Sequence, residues 1–164
     1  MKTLLLLRHA RTGQFSPTGR DFDRPLVEQG RADALLAGQL LRRRQLTPDS
    51  VICSPALRAR QTAAAVSEAA QLAVQPLFHE RIYEAGTEQL IEVVAEAGGR
   101  AGVLLVVGHN PGLQELLERL TGERAAMSPA TLVRIDLDIE AWDELPGAGA
   151  GRLVFALAPQ ATSS

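Results

Sequence analysis

Five short apolar runs punctuate the chain, at Lys2 to Leu7, Asp49 to Cys53, Gly102 to Val107, Thr131 to Leu137 and Arg152 to Leu157. Each has the length of a strand, and the Leu- and Val-rich ones suit strands buried on both faces. Between most of them the apolar positions recur at helical spacing instead. Over residues 28–46, Leu35, Leu36, Gln39, Leu40 and Leu46 fall mainly on one face with arginines opposite, which predicts an amphipathic helix. Similar spacing predicts helices over Pro55 to Ala70, Thr87 to Ala97 and Pro111 to Leu120. Strand alternating with helix implies a three-layer α/β/α sandwich around a mostly parallel central sheet. Residues 138–151, DIEAWDELPGAGAG, carry no helical stripe. They are expected to be a loop that joins the last two strands as a hairpin and leaves an antiparallel edge.

Two strand-to-helix junctions share a local design, reading Ser54-Pro55 and Asn110-Pro111. Ser or Asn suits the N-cap and Pro the first helical position, so both helices are expected to start at once beyond their strands. The junctions then lie at strand C-terminal ends, where open α/β sheets collect ligands and helix N-termini offer unpaired N–H groups. Beyond the first run the chain reads Arg8-His9-Ala10-Arg11-Thr12; Arg58 lies in the first turn of the second helix, and His109 directly follows the third run. Three strand ends thus carry Arg, His, Arg and His toward one edge. Guanidinium forks grip phosphate oxygens, and an imidazole beside them can attack phosphorus to give a covalent phosphohistidine. The flanking arginines favour a neutral His9 with a free lone pair. His109 is placed to donate to the phosphoryl group in transfer. This scheme calls for no metal and no other cofactor.

Composition narrows the picture further. The 164 residues suit a single domain, expected over 1–158 with a flexible tail at 159–164, and the mix of 46% hydrophobic and 22% charged residues is ordinary for a globular chain. A net charge of -2 gives no general attraction to nucleic acid or to an anionic membrane, so an anion must be recognised by local arginines. Cys53 is the only cysteine, which excludes an internal disulfide and a multi-thiolate metal site and leaves a small apolar core residue. The first run is too short for a signal-peptide core and is broken by Arg8. No run reaches the roughly 18 residues of a membrane span. A soluble, cytoplasmic protein is expected.

The segments LLRHARTG, SPALRARQTA and GHNPG resemble, in the same order, the motifs of the histidine phosphatase superfamily, also called phosphoglycerate mutase-like. The resemblance runs from Leu4 to about Leu116, with the superfamily's Arg-His-Gly standing here as Arg8-His9-Ala10. It implies that His9 is the phosphorylated nucleophile, that Arg8 and Arg58 grip the phosphate, and that His109 completes the pocket. FDRPLVEQG and RIYEAGTEQLIEVV are similar to the small SixA-like phosphohistidine phosphatases, in which an Arg of an Arg-Pro-Leu segment lines the pocket; it maps onto Arg24. The mutase and sugar-phosphatase branch instead places a Glu before Arg-x-Tyr as proton donor, and HERIYEAG offers Glu80. Thr12 and Asn110 complete the expected substrate contacts.

Three functions follow from these residues. The first is a phosphatase acting on phosphohistidine in a signalling or phosphotransfer protein. The second is a phosphomonoesterase for a small metabolite with Glu80 as acid. The third is a phosphate-binding module that uses the same arginines without catalysis. Single residues also have plainer readings: Arg58 as an ion-pair partner of Glu68 or Glu80, Arg24 of Asp21 or Asp23, and Arg42 to Arg44 as a solvated complement to a helix C-terminus. His79 reads as a surface or rim residue, and Trp142 is open between packing and partner contact. The loops 14–25 and 78–87 are expected to roof the pocket and to set specificity.

Overall fold

The computed structural model describes residues 1–159; the remainder of the expected tail, 160–164, lies outside the described residues. In chain order the elements are β1 (Lys2–Arg8), α1 (Glu28–Arg43), β2 (Ser50–Cys53), α2 (Leu57–Ala70), β3 (Leu77–Phe78), α3 (Thr87–Ala97), β4 (Val103–Gly108), α4 (Gly112–Thr121), β5 (Leu132–Leu137) and β6 (Arg152–Leu157). The strands form one sheet in the order β3-β2-β4-β1-β5-β6. From β3 to β1 the neighbours are parallel, whereas β5 pairs antiparallel with both β1 and β6. The fold is the expected α/β sandwich with an antiparallel edge.

Burial explains why the strands are apolar runs. Leu4 and Leu6 of β1 face one core with the apolar faces of α3 and α4, and Leu5 and Leu7 face the other with those of α1 and α2. All four are fully buried, so the period-2 alternation divides a continuous apolar run between two cores. No described helix is long and apolar enough to cross a membrane.

Several local expectations need correction. The stripe that α1 buries includes Ala34, Ala37, Gly38 and Leu41, rather than the predicted Leu35, Leu36 and Leu40, which are only half-buried. Small residues win there because α1 lies directly against α2: a Cβ on Gly38 would sit 2.6 Å from the Val66 carbonyl oxygen and 2.7 Å from Ala69 Cβ. The α2 and α4 starts are also displaced. Ala56 is the N-cap of α2 and Pro111 that of α4, so neither proline occupies a first helical position. Ser54 and Asn110 act two residues and one residue ahead of those caps, Ser54 Oγ accepting from the Ala56 N–H and Asn110 Oδ1 from the Gln114 N–H. The β5–β6 connection contains a 3-10 helix at Trp142–Gly147. Trp142 is buried and donates Nε1–H to the Ala101 carbonyl at 2.7 Å, which settles it as a packing residue. The two-residue edge strand β3 carries too short a pattern to be seen in sequence.

Candidate active site

Strand register brings the two histidines together. Arg8 of β1 pairs with Gly108 of β4, and the His9 N–H donates to the Gly108 carbonyl at 2.9 Å. His9 and His109 are therefore the first residues beyond adjacent parallel strand ends, about 4.8 Å apart by strand spacing. Their ring centroids lie 5.1 Å apart. The β2 end arrives on the other side of β4, where the Ser54 N–H donates to the Val107 carbonyl.

His9 is nearly buried, at 8% exposure. Its Nδ1 lies 2.8 Å from the Ala10 carbonyl oxygen. That oxygen can only accept, so Nδ1 holds the proton and Nε2 holds the lone pair. The Ala10 N–H is anchored in turn by Thr62 Oγ1 of α2, whose hydroxyl donates to the Arg58 carbonyl. The backbone of Ala10 stays out of the left-handed region, so a methyl group in place of the signature glycine meets no backbone strain. Burial, and then the charges of Arg58, Arg8 and Arg24, lower the His9 pKa to about 4 against the lift from its Ala10 hydrogen bond. The ring is neutral at physiological pH.

His109 is lowered further, to about 3, by burial first and then by His9, Arg58 and Arg8, with Asp21 opposing. Its Nε2 lies 2.7 Å from Ser54 Oγ. Among the described residues, its Nδ1 is buried without a hydrogen-bond partner, as are Arg8 Nε and Arg58 Nε. The other Arg8 contact is NH1 to the Met127 carbonyl at 3.0 Å.

Arg58 is buried, and its charge is met by Asp21, which lay outside the sequence-predicted site. NH1 donates to the Asp21 carbonyl at 2.8 Å and NH2 to its carboxylate at 3.0 Å. Neither Glu68 nor Glu80 is its partner; Glu68 pairs with Arg31. The same Asp21 carboxylate accepts from Tyr83 OH at 2.7 Å and from Arg24 Nε at 2.9 Å. The Tyr83 hydrogen bond, followed by the Arg24 hydrogen bond and by the charge and hydrogen bond of Arg58, holds Asp21 down at about 2 against a smaller burial effect. Asp21 thereby ties the loop 14–25 to the segment 78–87. Tyr83 also meets the His109 ring edge-on at 5.6 Å.

The remaining predicted residues divide. Arg24 joins the cluster, donating NH1 to Thr12 Oγ1 and to the Gly13 carbonyl, so Thr12 receives an arginine. Asn110 is engaged through Nδ2 with the Met127 carbonyl that also receives Arg8. Glu80 is exposed and opens the 3-10 turn Glu80–Ile82 next to Tyr83; no described side-chain hydrogen bond or ion pair includes it. His79 is half-buried at the same turn. Asp21 and Tyr83 were missed as site residues because they enter from loops without periodicity. Their only sequence signal was an acidic residue set among Arg20, Arg24 and Phe22, and the Arg-x-Tyr segment. In sequence Ser54 shows itself only as a cap.

Two guanidiniums, whose buried Nε atoms lack partners among the described residues, converge with two neutral imidazoles at one strand edge; the guanidiniums offer donors matched to a tetrahedral oxyanion, and His9 offers a lone pair. The sequence model of the histidine phosphatase superfamily (branch 1) matches residues 4–90. The chain belongs to this superfamily. Among curated relatives, an uncharacterised protein of Mycobacterium tuberculosis is 38% identical over 126 residues, 74% of this chain and 76% of that one. The structure of SixA from Nakamurella multipartitia is 31% identical with a TM-score of 0.87 and covers 98% of this chain and 97% of that one, which places the chain on the SixA-like branch. The protein histidine phosphatase SixA complexed with tungstate is 21% identical, with a TM-score of 0.78 over 96% and 97% of the two chains, and shares the fold.

Proposed function

We propose that this SixA-like chain is a phosphatase that passes a phosphoryl group through His9 and takes phosphohistidine of a protein as its substrate. The observation that carries the reading is a neutral His9 with Nδ1 held on the Ala10 carbonyl, set 5.1 Å from a second neutral imidazole and electrostatically coupled to Arg58. His9 Nε2 attacks phosphorus and forms the N–P bond as the bond to the departing imidazole breaks; that imidazole takes up a proton from solvent water. Arg8 and Arg58 carry the equatorial charge, with His109 as a further donor. Water then attacks the phosphohistidine, gives up a proton, and the N–P electron pair returns to Nε2. Each step uses this chain's own side chains and water. The substrate class draws support from the Nakamurella multipartitia relative, described as a phosphohistidine phosphatase SixA, and from Glu80 making no polar contact with the cluster. An imidazole leaves without the dedicated acid that an alkoxide needs. Ester hydrolysis with Glu80 as acid is the second reading, favoured by the position of Glu80 at the start of the turn that sets Tyr83 against His109.

The test compares rates on a chemically phosphorylated histidine protein, on sugar phosphates and on an aryl phosphate, for wild type, His9→Ala and Glu80→Gln. The expected result is fastest release from the phosphohistidine protein, no turnover by His9→Ala, and an acid-labile, base-stable phosphoenzyme on rapid quench. Faster sugar-phosphate turnover that collapses in Glu80→Gln would replace the substrate assignment. Tight phosphopeptide binding with no phosphoenzyme would make the chain a binding module.

A further inference from the structure

We infer that Ser54 is a positioning residue that fixes His109 in the tautomer carrying its proton on Nδ1. The hydrogen bonds around one fully buried hydroxyl decide the tautomer. Ser54 is 0% exposed. Its Oγ has two described partners, the Ala56 N–H at 3.2 Å and His109 Nε2 at 2.7 Å. The amide can only donate, so it takes a lone pair of Oγ. The hydroxyl proton then has a single available acceptor, Nε2, and a neutral imidazole accepts there only when its own proton sits on Nδ1.

The opposite tautomer fails at the hydroxyl. With the proton on Nε2, Oγ would accept two hydrogen bonds and its own buried O–H would have no described acceptor, a cost of the kind that unsatisfied buried donors impose. Nδ1 has no described partner in either tautomer, on a ring 5.1 Å from that of His9, so its state counts when a phosphoryl group arrives. A lone pair there repels phosphoryl oxygens. An Nδ1–H donates to them. His109 is neutral at physiological pH, with burial as the leading cause, so one proton must serve, and its placement decides whether the ring assists or opposes phosphate. The chain thus sets each imidazole by a separate device: a carbonyl holds His9 Nδ1, leaving Nε2 bare, and a hydroxyl holds His109 Nε2, leaving Nδ1 protonated. This inference deepens the reading of His109 as a phosphoryl donor and rests on it for the kinetic consequence, while the tautomer itself does not.

The test is long-range proton–nitrogen correlation NMR on uniformly 15N-labelled protein at pH 7 without substrate, for wild type and Ser54→Ala, with turnover of the best substrate measured alongside. Wild-type His109 is expected to give the pattern of protonated Nδ1 and bare Nε2. In Ser54→Ala a substantial fraction should shift to the Nε2-protonated form. The same variant should lose about tenfold or more in kcat with a smaller change in KM, because the lost donor acts on transferring charge. Ser54→Thr, which keeps the hydroxyl, should restore both tautomer and kcat if it folds. A wild-type His109 protonated on Nε2, or a tautomer unchanged by Ser54→Ala, overturns the inference. The expected tautomer in a protein without phosphatase activity would uphold the positioning and refute the functional reading.

Discussion

The pKa of His9 makes the stability of the whole protein sensitive to mild acid, and one substitution should remove that part of the sensitivity. In the unfolded chain His9 takes up a proton as pH falls through 6.5; in the folded chain it resists until about 4. Between those values the unfolded state binds more protons, so acid pulls the equilibrium toward unfolding. The stability is fully present above 6.5, declines as pH falls and levels off below 4. At about 1.4 kcal/mol per pH unit, the gap corresponds to roughly 3 kcal/mol in all. By pH 5 about 2 kcal/mol of it is already lost relative to pH 8. The perturbation is His9→Asn, whose amide can still donate to the Ala10 carbonyl and does not titrate. Urea unfolding of both proteins at pH 8 and pH 5 supplies the comparison. The wild type should lose about 2 kcal/mol more than the variant between the two pH values. His109, also lowered, contributes with the same sign to both proteins, and because His9 is one cause of its lowering the variant keeps less of that contribution, which widens the difference in the same direction. An equal pH loss in the two proteins would refute the claim that burial and arginine charge hold His9 neutral.

Two further outcomes are expected. Asp21→Asn should tighten competitive inhibition by inorganic phosphate severalfold, because the Asp21 carboxylate now occupies Arg58 NH2; unchanged or weaker inhibition would show that Asp21 does not compete with an oxyanion for the clamp. Gly38→Ala should lower the urea-unfolding free energy by about 1–3 kcal/mol through overpacking, since the added carbon meets the Val66 backbone at 2.6 Å; a neutral result would mean that α1 and α2 can separate without cost.

The amino-acid sequence by itself determined the strands and the residues that follow them. Apolar runs such as Leu4 to Leu7 have no stable place except between two covered faces, and Arg8-His9 and His109 follow their runs within a residue or two. It also determined the motif order that marks the superfamily. Strand order was a tertiary decision: β1 lies between β4 and β5, and only that neighbour choice sets His9 beside His109. The face that α1 buries was decided by its partner, since the close approach at Gly38 favours small residues over the leucines that periodicity selected. The contacts of Asp21 with Arg58 and Tyr83 link residues 37 and 62 positions apart through loops whose conformation no local pattern encodes. The role of Ser54 emerged last, because a hydroxyl's single proton is assigned only when every neighbour competing for it has been brought into place.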